Sequence, residues 1–314
     1  MKQIDIYLTE KLKLNKDSTK YKYAPKSKHE LKKLLAELLR ERGADAYLND
    51  IDVSKITNME NLFEDLYIKN IDISEWNVSN VTEMNGMFQY CTYFNCDLSK
   101  WDVSNVFNFS NIFSGCSNFN SDLSEWNVSS AKFTANMFHL CHKFNSDLSK
   151  WDVSNVITME NMFGGCERFN SDLSKWDVSN VKYINRMFTV CRSFNSDLSN
   201  WDVSNVIFMA SAFFGCETFN GDLSKWDVSS VINMNSMFYG CKKFNSDISK
   251  WNVSNVTSMA AMFNGCEEFK INLNKWDVSK CKGFEHMFTG CKNFDPIFIK
   301  NWDLTSKQYQ DMFN

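Results

Sequence analysis

Apolar and polar positions along this chain follow one pattern that returns every 25 residues. Trp76, Trp101, Trp126, Trp151, Trp176, Trp201, Trp226, Trp251 and Trp276 are evenly spaced, and Trp302 arrives one residue late. Cysteine keeps the same register from Cys91 to Cys291. Phenylalanine recurs twice per unit, as at Phe113 and Phe119 or Phe163 and Phe169. The unit reads W-D-V-S-N-V-x-x-M-x-x-M-F-x-G-C-x-x-F-N-x-D-L-S-K. A worn copy opens at Ile51, so ten coils run from 51 onward, with a reduced turn after Trp302. A fixed period of this length marks a stacked repeat, because one unit cannot bury its apolar side alone.

The coil at 101–125 predicts two local elements. Val106, Phe109, Ile112, Phe113 and Cys116 fall on one face of a short helix. Ser104 stands where an N-cap belongs, and Gly115 stands where a left-handed residue would stop the helix. The polar stretch after Phe119 predicts a turn, with a short strand around Leu123. The fold class expected is therefore an α/β repeat, a leucine-rich-repeat-like solenoid of about ten coils. Stacking would place Asn95, Asn120, Asn145 and their successors in one polar ladder. It would place Asp72 through Asp247 in another, whose carboxylates must face water or accept backbone N–H groups.

The ends depart from the pattern. Residues 1–50 carry 10 Lys and 2 Arg, among them Lys2, Lys11, Lys13 and Lys16. Ser27 and Glu30 read as a capping box, and Leu31, Leu34, Leu35, Leu38 and Leu39 form a helical stripe that Gly43 ends. The spacing predicts a helix over about 28–42 within a basic N-terminal cap. Tyr7, Leu8, Leu12, Tyr21 and Tyr23 are expected to complete that cap. The solenoid spans 51–294, and 295–314 is a degenerate capping turn that opens at Pro296.

Composition narrows the function. A hydrophobic content of 44% supplies a core, and no apolar run is long enough to span a membrane. A net charge of -4 argues against nucleic acid as the main partner. Only 4 His leave little for histidine catalysis or metal ligation. The ladder cysteines lie 25 apart in the apolar stripe rather than in C-x-x-C pairs, which reads as core, not metal. Cys96 and Cys281 lie off the ladder, and Cys96, in a turn slot usually held by Ser, is expected at the surface. His139, Cys141 and His142 read as surface histidines around a core thiol. The Asp/Asn turn rows lack the dense oxygen spacing of a calcium loop and read as turn chemistry. No G-x-S-x-G, P-loop, H-E-x-x-H or G-x-G-x-x-G occurs, so neither an enzyme nor a cofactor is expected.

The W-D-V-S-N-V…M-F-x-G-C-x-x-F-N unit resembles the repeat of the BspA-like leucine-rich-repeat surface proteins, a type abundant in mycoplasmas. The resemblance covers about residues 51–294. It implies a leucine-rich-repeat-like solenoid used in adhesion or protein binding, with no enzymatic activity and no cofactor. That family is often surface-exposed. The start M-K-Q-I-D-I-Y-L-T-E-K lacks an h-region and a lipobox cysteine, which points to a cytoplasmic or virion-associated location rather than classical secretion.

Recognition belongs where coils differ. The N-S-D-L-S-K row is nearly uniform, whereas the two positions that open the expected helix vary. Phe107, Phe133, Tyr183 and Phe208 occupy them in four coils, against mostly polar residues elsewhere. Interfaces favour aromatics, so these four are the candidate partner-binding residues. The function expected is a non-enzymatic, monomeric scaffold that binds another macromolecule, most simply a protein. The alternatives are a rigid structural or virion spacer and a binder of a repetitive glycan.

Overall fold

The computed structural model describes residues 20–314; the cap residues Tyr7, Leu8 and Leu12 and the lysines before Lys20 lie outside the described residues. Counterparts in successive coils sit on one another throughout. Parallel bridges join Asn58 to Glu83, Glu83 to Asn108, Asn108 to Phe133, and onward to Ser258 and Gly283. The ladder runs through the eighth residue of each coil, counted from the tryptophan. The chain is a repeat solenoid.

The coils contain no helix, which corrects the expected α/β alternation. Among the described residues the α-helices are α1, Lys28–Arg42, and α2, Ser306–Asp311, at the two ends. Between 101 and 126 the chain turns repeatedly: Val106, Ile112, Ser114, Cys116, Phe119 and Trp126 each donate an N–H to the carbonyl three residues back, at 2.9–3.1 Å. The alternate donors Phe109, Asn111, Phe113 and Gly115 instead reach Phe133, Ala135, Met137 and His139 of the next coil, at 2.7–3.0 Å. A helix would spend all these N–H groups inside the coil and leave nothing to join it to its neighbour. The backbone enforces the choice. Asn111 (φ 58°) and Gly115 (φ 79°) are both left-handed, and each coil repeats the pair. A right-handed helix cannot pass through such residues.

Two further expectations change with it. Ser104 caps no helix; Asp102 Oδ1 accepts both its N–H (3.1 Å) and its hydroxyl (2.6 Å), closing a tight Asx turn. No strand forms around Leu123. Its N–H donates 3.0 Å to Ser146 Oγ of the next coil, so this side is joined through side chains. Ser171, Ser196 and Ser246 repeat the contact with Leu148, Leu173 and Leu223. The asparagine ladder works alongside it: Asn95 Oδ1 accepts from Asn120 N–H at 2.8 Å, and Asn120 from Asn145 at 2.7 Å.

The interior is a set of stacked columns. Trp151 and Trp176 lie 6.4 Å apart and 2° from parallel, and Trp176 and Trp201 repeat the geometry. Phe163 stacks on Phe169 at 4.0 Å within a coil and on Phe188 at 5.8 Å across coils. Each such phenylalanine is fully buried, which stabilises the fold by about 1.5–3 kcal/mol per side chain. Cys96 is buried too, contrary to the surface position expected of it. Its slot is the inward-facing one that Ser121 and Ser146 fill in later coils.

Both ends are covered. Ser27 Oγ accepts the Glu30 N–H at 3.2 Å. The Glu30 carboxylate returns to the N–H of Lys26 (2.9 Å), one residue before the cap. Gly43 (φ 82°) closes α1 by donating to Leu39. Leu31, Leu34, Leu35 and Leu38 are buried, and Lys32 Nζ reaches the Asn61 carbonyl of the first coil at 3.1 Å. At the other end a 3₁₀ turn at Pro296–Ile299 precedes α2. There the N–H groups of His286 and Phe288 find Asp311 and Met312 where another coil would have been. Trp302 still stacks on Trp276, at 6.2 Å.

Candidate partner-binding face

One half of each coil is constant and serves the stack; the other half varies. The seventh and eighth residues form two adjacent columns on the varying side. Down the seventh run Phe107, Lys132, Ile157, Lys182, Ile207 and Ile232, each N–H donating to the preceding carbonyl at 2.9–3.0 Å. Down the eighth run Asn108, Phe133, Thr158, Tyr183, Phe208 and Asn233, joined by the parallel bridges. The helix openings that the sequence pattern pointed to do not exist. Phe107 lies in the first column and Phe133, Tyr183 and Phe208 lie in the second, so the four share one strip of ladder.

None of the four is buried. Phe133 is 37% exposed, and Phe107, Tyr183 and Phe208 are half-buried. Tyr183 and Phe208 stack at 6.0 Å and 11°. Ile232 extends the apolar surface, at 39% exposure. Lys132 and Lys182 are exposed between these side chains.

A second apolar patch escaped the sequence argument. Leu66, Tyr67, Tyr90 and Tyr93 are exposed in the first two coils, and Tyr67 meets Tyr93 edge-on at 5.4 Å. The signal was available, since these residues stand at coil positions 15–18 where other coils are mostly glycine, cysteine or polar. Farther along the solenoid, the seventeenth coil position, which Tyr67 holds in the first coil, becomes a rail of alternating charge. Glu167 pairs with Arg192 (3.1 Å), Arg192 with Glu217 (3.6 Å), and Glu217 with Lys242 (2.5 Å). Alternation turns what would be stacked like charges into cross-coil pairs.

The other candidate constellations resolve into structure. Cys141 points inward and its thiol meets the Phe113 carbonyl at 3.0 Å. His142 lies outside, with Nδ1 at 3.0 Å from the Gly165 carbonyl. His139 is half-buried, and that burial lowers its pKa. Asp122, Asp147 and Asp172 accept the N–H of the serine two residues on, which holds their carboxyls below the usual range. Among the described residues no group of His, Cys, Asp and Glu is placed to hold a metal ion, and no helix is long and apolar enough to cross a membrane.

The repeat is that of a known family: the family model described as "Mycoplasma protein of unknown function, DUF285" matches residues 33–145, 132–226 and 207–314. The chain belongs to this family. No curated protein sequence matches it. Among solved structures, it is similar to a leucine-rich cell surface protein from Faecalibacterium prausnitzii A2-165, at 12% identity and TM-score 0.33, covering 82% of this chain and 86% of that one. It is also similar to the functional domain of InlJ from Listeria monocytogenes, described as including a cysteine ladder. That match has 12% identity and TM-score 0.37, covering 79% of this chain and 56% of that one.

Proposed function

We propose that the chain is a non-enzymatic scaffold that binds a protein partner along the ladder strip, and that its repeat is of the BspA-like leucine-rich type, used for binding or adhesion. In this reading ten coils starting at Ile51 stand between a basic N-terminal cap and a C-terminal capping turn. The observation that carries it is that Phe107, Phe133, Tyr183 and Phe208 share adjoining ladder columns and none is buried, Phe133 being exposed and the other three half-buried. The same columns hold Asn58, Glu83, Asn233 and Ser258 elsewhere. Aromatic side chains left in water on a rigid face favour an interface, where each central anchor contributes about 2 kcal/mol or more.

The test is affinity capture with the intact chain and with a Phe133→Ser/Phe208→Ser variant. The expected result is a protein retained by the native chain and lost by a variant whose unfolding temperature is close to native. Equal retention by both would move the site to the constant polar face or to the Lys-rich cap. A chain that retains no protein would favour the spacer reading.

A further inference from the structure

We propose that the ladder strip accepts an extended acidic segment of its partner, running along the solenoid axis with carboxylates about three residues apart. The proposal rests on reading the strip as partner-binding and adds the chemistry of what binds there.

Charge is the first argument. The chain carries 38 Asp and Glu against 34 Lys and Arg. Yet no acidic residue occurs in the seventh or eighth column from Phe107 to Gly283. The strip is therefore cationic on an otherwise anionic molecule. The lysines provide the second argument. Elsewhere, Lys150, Lys242, Lys243 and Lys292 each meet a glutamate one coil away, at 2.5–2.6 Å. Lys132 and Lys182 make no ion pair among the described residues, and Glu160, three residues along the coil from Ile157, pairs with neither. They are charges held on a structured apolar surface with no carboxylate of their own.

Spacing then selects the ligand. Lys132 and Lys182 stand two coils apart in one column. Neighbouring parallel strands lie about 4.8 Å apart, so the two lysines are separated by roughly 10 Å. A peptide extended in the polyproline II form covers about that distance in three residues and returns to the same face, so carboxylates at i and i+3 both meet the strip. Ile157 lies between the lysines, with Phe133 and Tyr183 beside them in the next column, and these offer apolar contact to the intervening side chains. A nucleic acid fits less well, because its closely spaced phosphates would find only two cations over this stretch.

A peptide-display selection on the full-length chain tests this. Random twelve-residue peptides are selected on the native protein, and binders are measured against it, Lys132→Ser/Lys182→Ser and Phe133→Ser/Phe208→Ser. The expected binders carry Asp or Glu at i and i+3 beside apolar residues. They lose affinity as salt is added, and bind the lysine variant about tenfold more weakly or worse, as loss of two charge-assisted contacts requires. Binders that need the phenylalanines but not the lysines, or that lack acidic residues, would overturn the acidic assignment and leave the face intact. Binders indifferent to both variants would overturn the face itself. An empty selection counts against the proposal. So does a single-stranded oligonucleotide that the native chain retains and the lysine variant releases.

Discussion

At the residue scale, the recurring side chains are those with an apolar body and one polar atom. Trp176 buries its rings and donates Nε1–H to the Leu148 carbonyl at 3.0 Å, and Trp201 does the same to Leu173. Cys166 and Cys191 place Sγ 3.0 Å from the carbonyls of Phe138 and Phe163. Each such contact takes the second lone pair of a carbonyl that already closes a turn, since Leu148, Leu173, Phe138 and Phe163 also accept the N–H of Trp151, Trp176, Cys141 and Cys166. The ladders of Trp, Cys and Asn were legible because their spacing never slips. The role of Ser104 was not, since a serine before an apolar run serves a helix cap and an Asx turn equally well. The aspartate two residues earlier was the discriminating sign. Burial pushes the thiol of Cys91 up to about 12, and those of Cys116, Cys141, Cys191, Cys241 and Cys266 well above the ordinary range. A thiol raised in the folded state stabilises fully below its unfolded pKa of about 8.5 and loses that contribution above it, by about 1.4 kcal/mol per pH unit. Thermal unfolding is therefore expected to fall steeply between pH 8.5 and 10, as several thiols ionise only on unfolding. A melting temperature flat across that window would contradict the burial of the ladder. On the acid side, the depressed carboxyls of Asp122, Asp147 and Asp172 stabilise above about pH 3.9 and stop doing so as pH falls through their lower folded values.

At the scale of the element, the apolar offsets along 106–116 fit a helix and a chain of turns equally well. Apolar spacing reports which side chains face inward, not which carbonyl an N–H meets. The local sign was asparagine in mid-stretch, at Asn61, Asn111, Asn136 and Asn161, all left-handed. By contrast α1 was legible because its cap, leucine stripe and terminal glycine agree. Coil-to-coil fit shows in a second left-handed position. Tyr90, Leu140 and Val190 hold it in alternate coils, and each is followed by glycine at 115, 165 and 215. The large side chain lies over that glycine: a Cβ on Gly115 would stand 2.7 Å from Tyr90 Cδ1, and one on Gly165 would stand 2.9 Å from Leu140 Cδ2. Gly115→Ala is expected to destabilise by about 1–3 kcal/mol, from the left-handed backbone and the contact together. Adding Tyr90→Ala should recover the contact share and not the backbone share. Additive losses in urea titrations of the two single variants and the double would show that the ring and the glycine do not meet.

Across the whole molecule, one face is repeated and the other is written differently in each coil. The constant side carries the Asn and Ser ladders and the Asx turns that lock coil to coil. The ladder side needs only backbone bonds at its seventh and eighth residues, which any side chain permits, so variation there costs the fold little. This is why the candidate residues could be picked from their departure from the pattern, whereas their true setting on a parallel ladder could not. If the strip aromatics are surface for a partner, they do not hold the coils together. Thermal melting decides this, with a Phe133→Ser/Tyr183→Ser/Phe208→Ser triple variant compared with the single core variant Phe163→Ser. Phe163 is fully buried, and its truncation is expected to cost about 3–5 kcal/mol. The triple variant is expected to melt clearly above the core single and close to the native chain. A triple variant that melts as early as Phe163→Ser would contradict it.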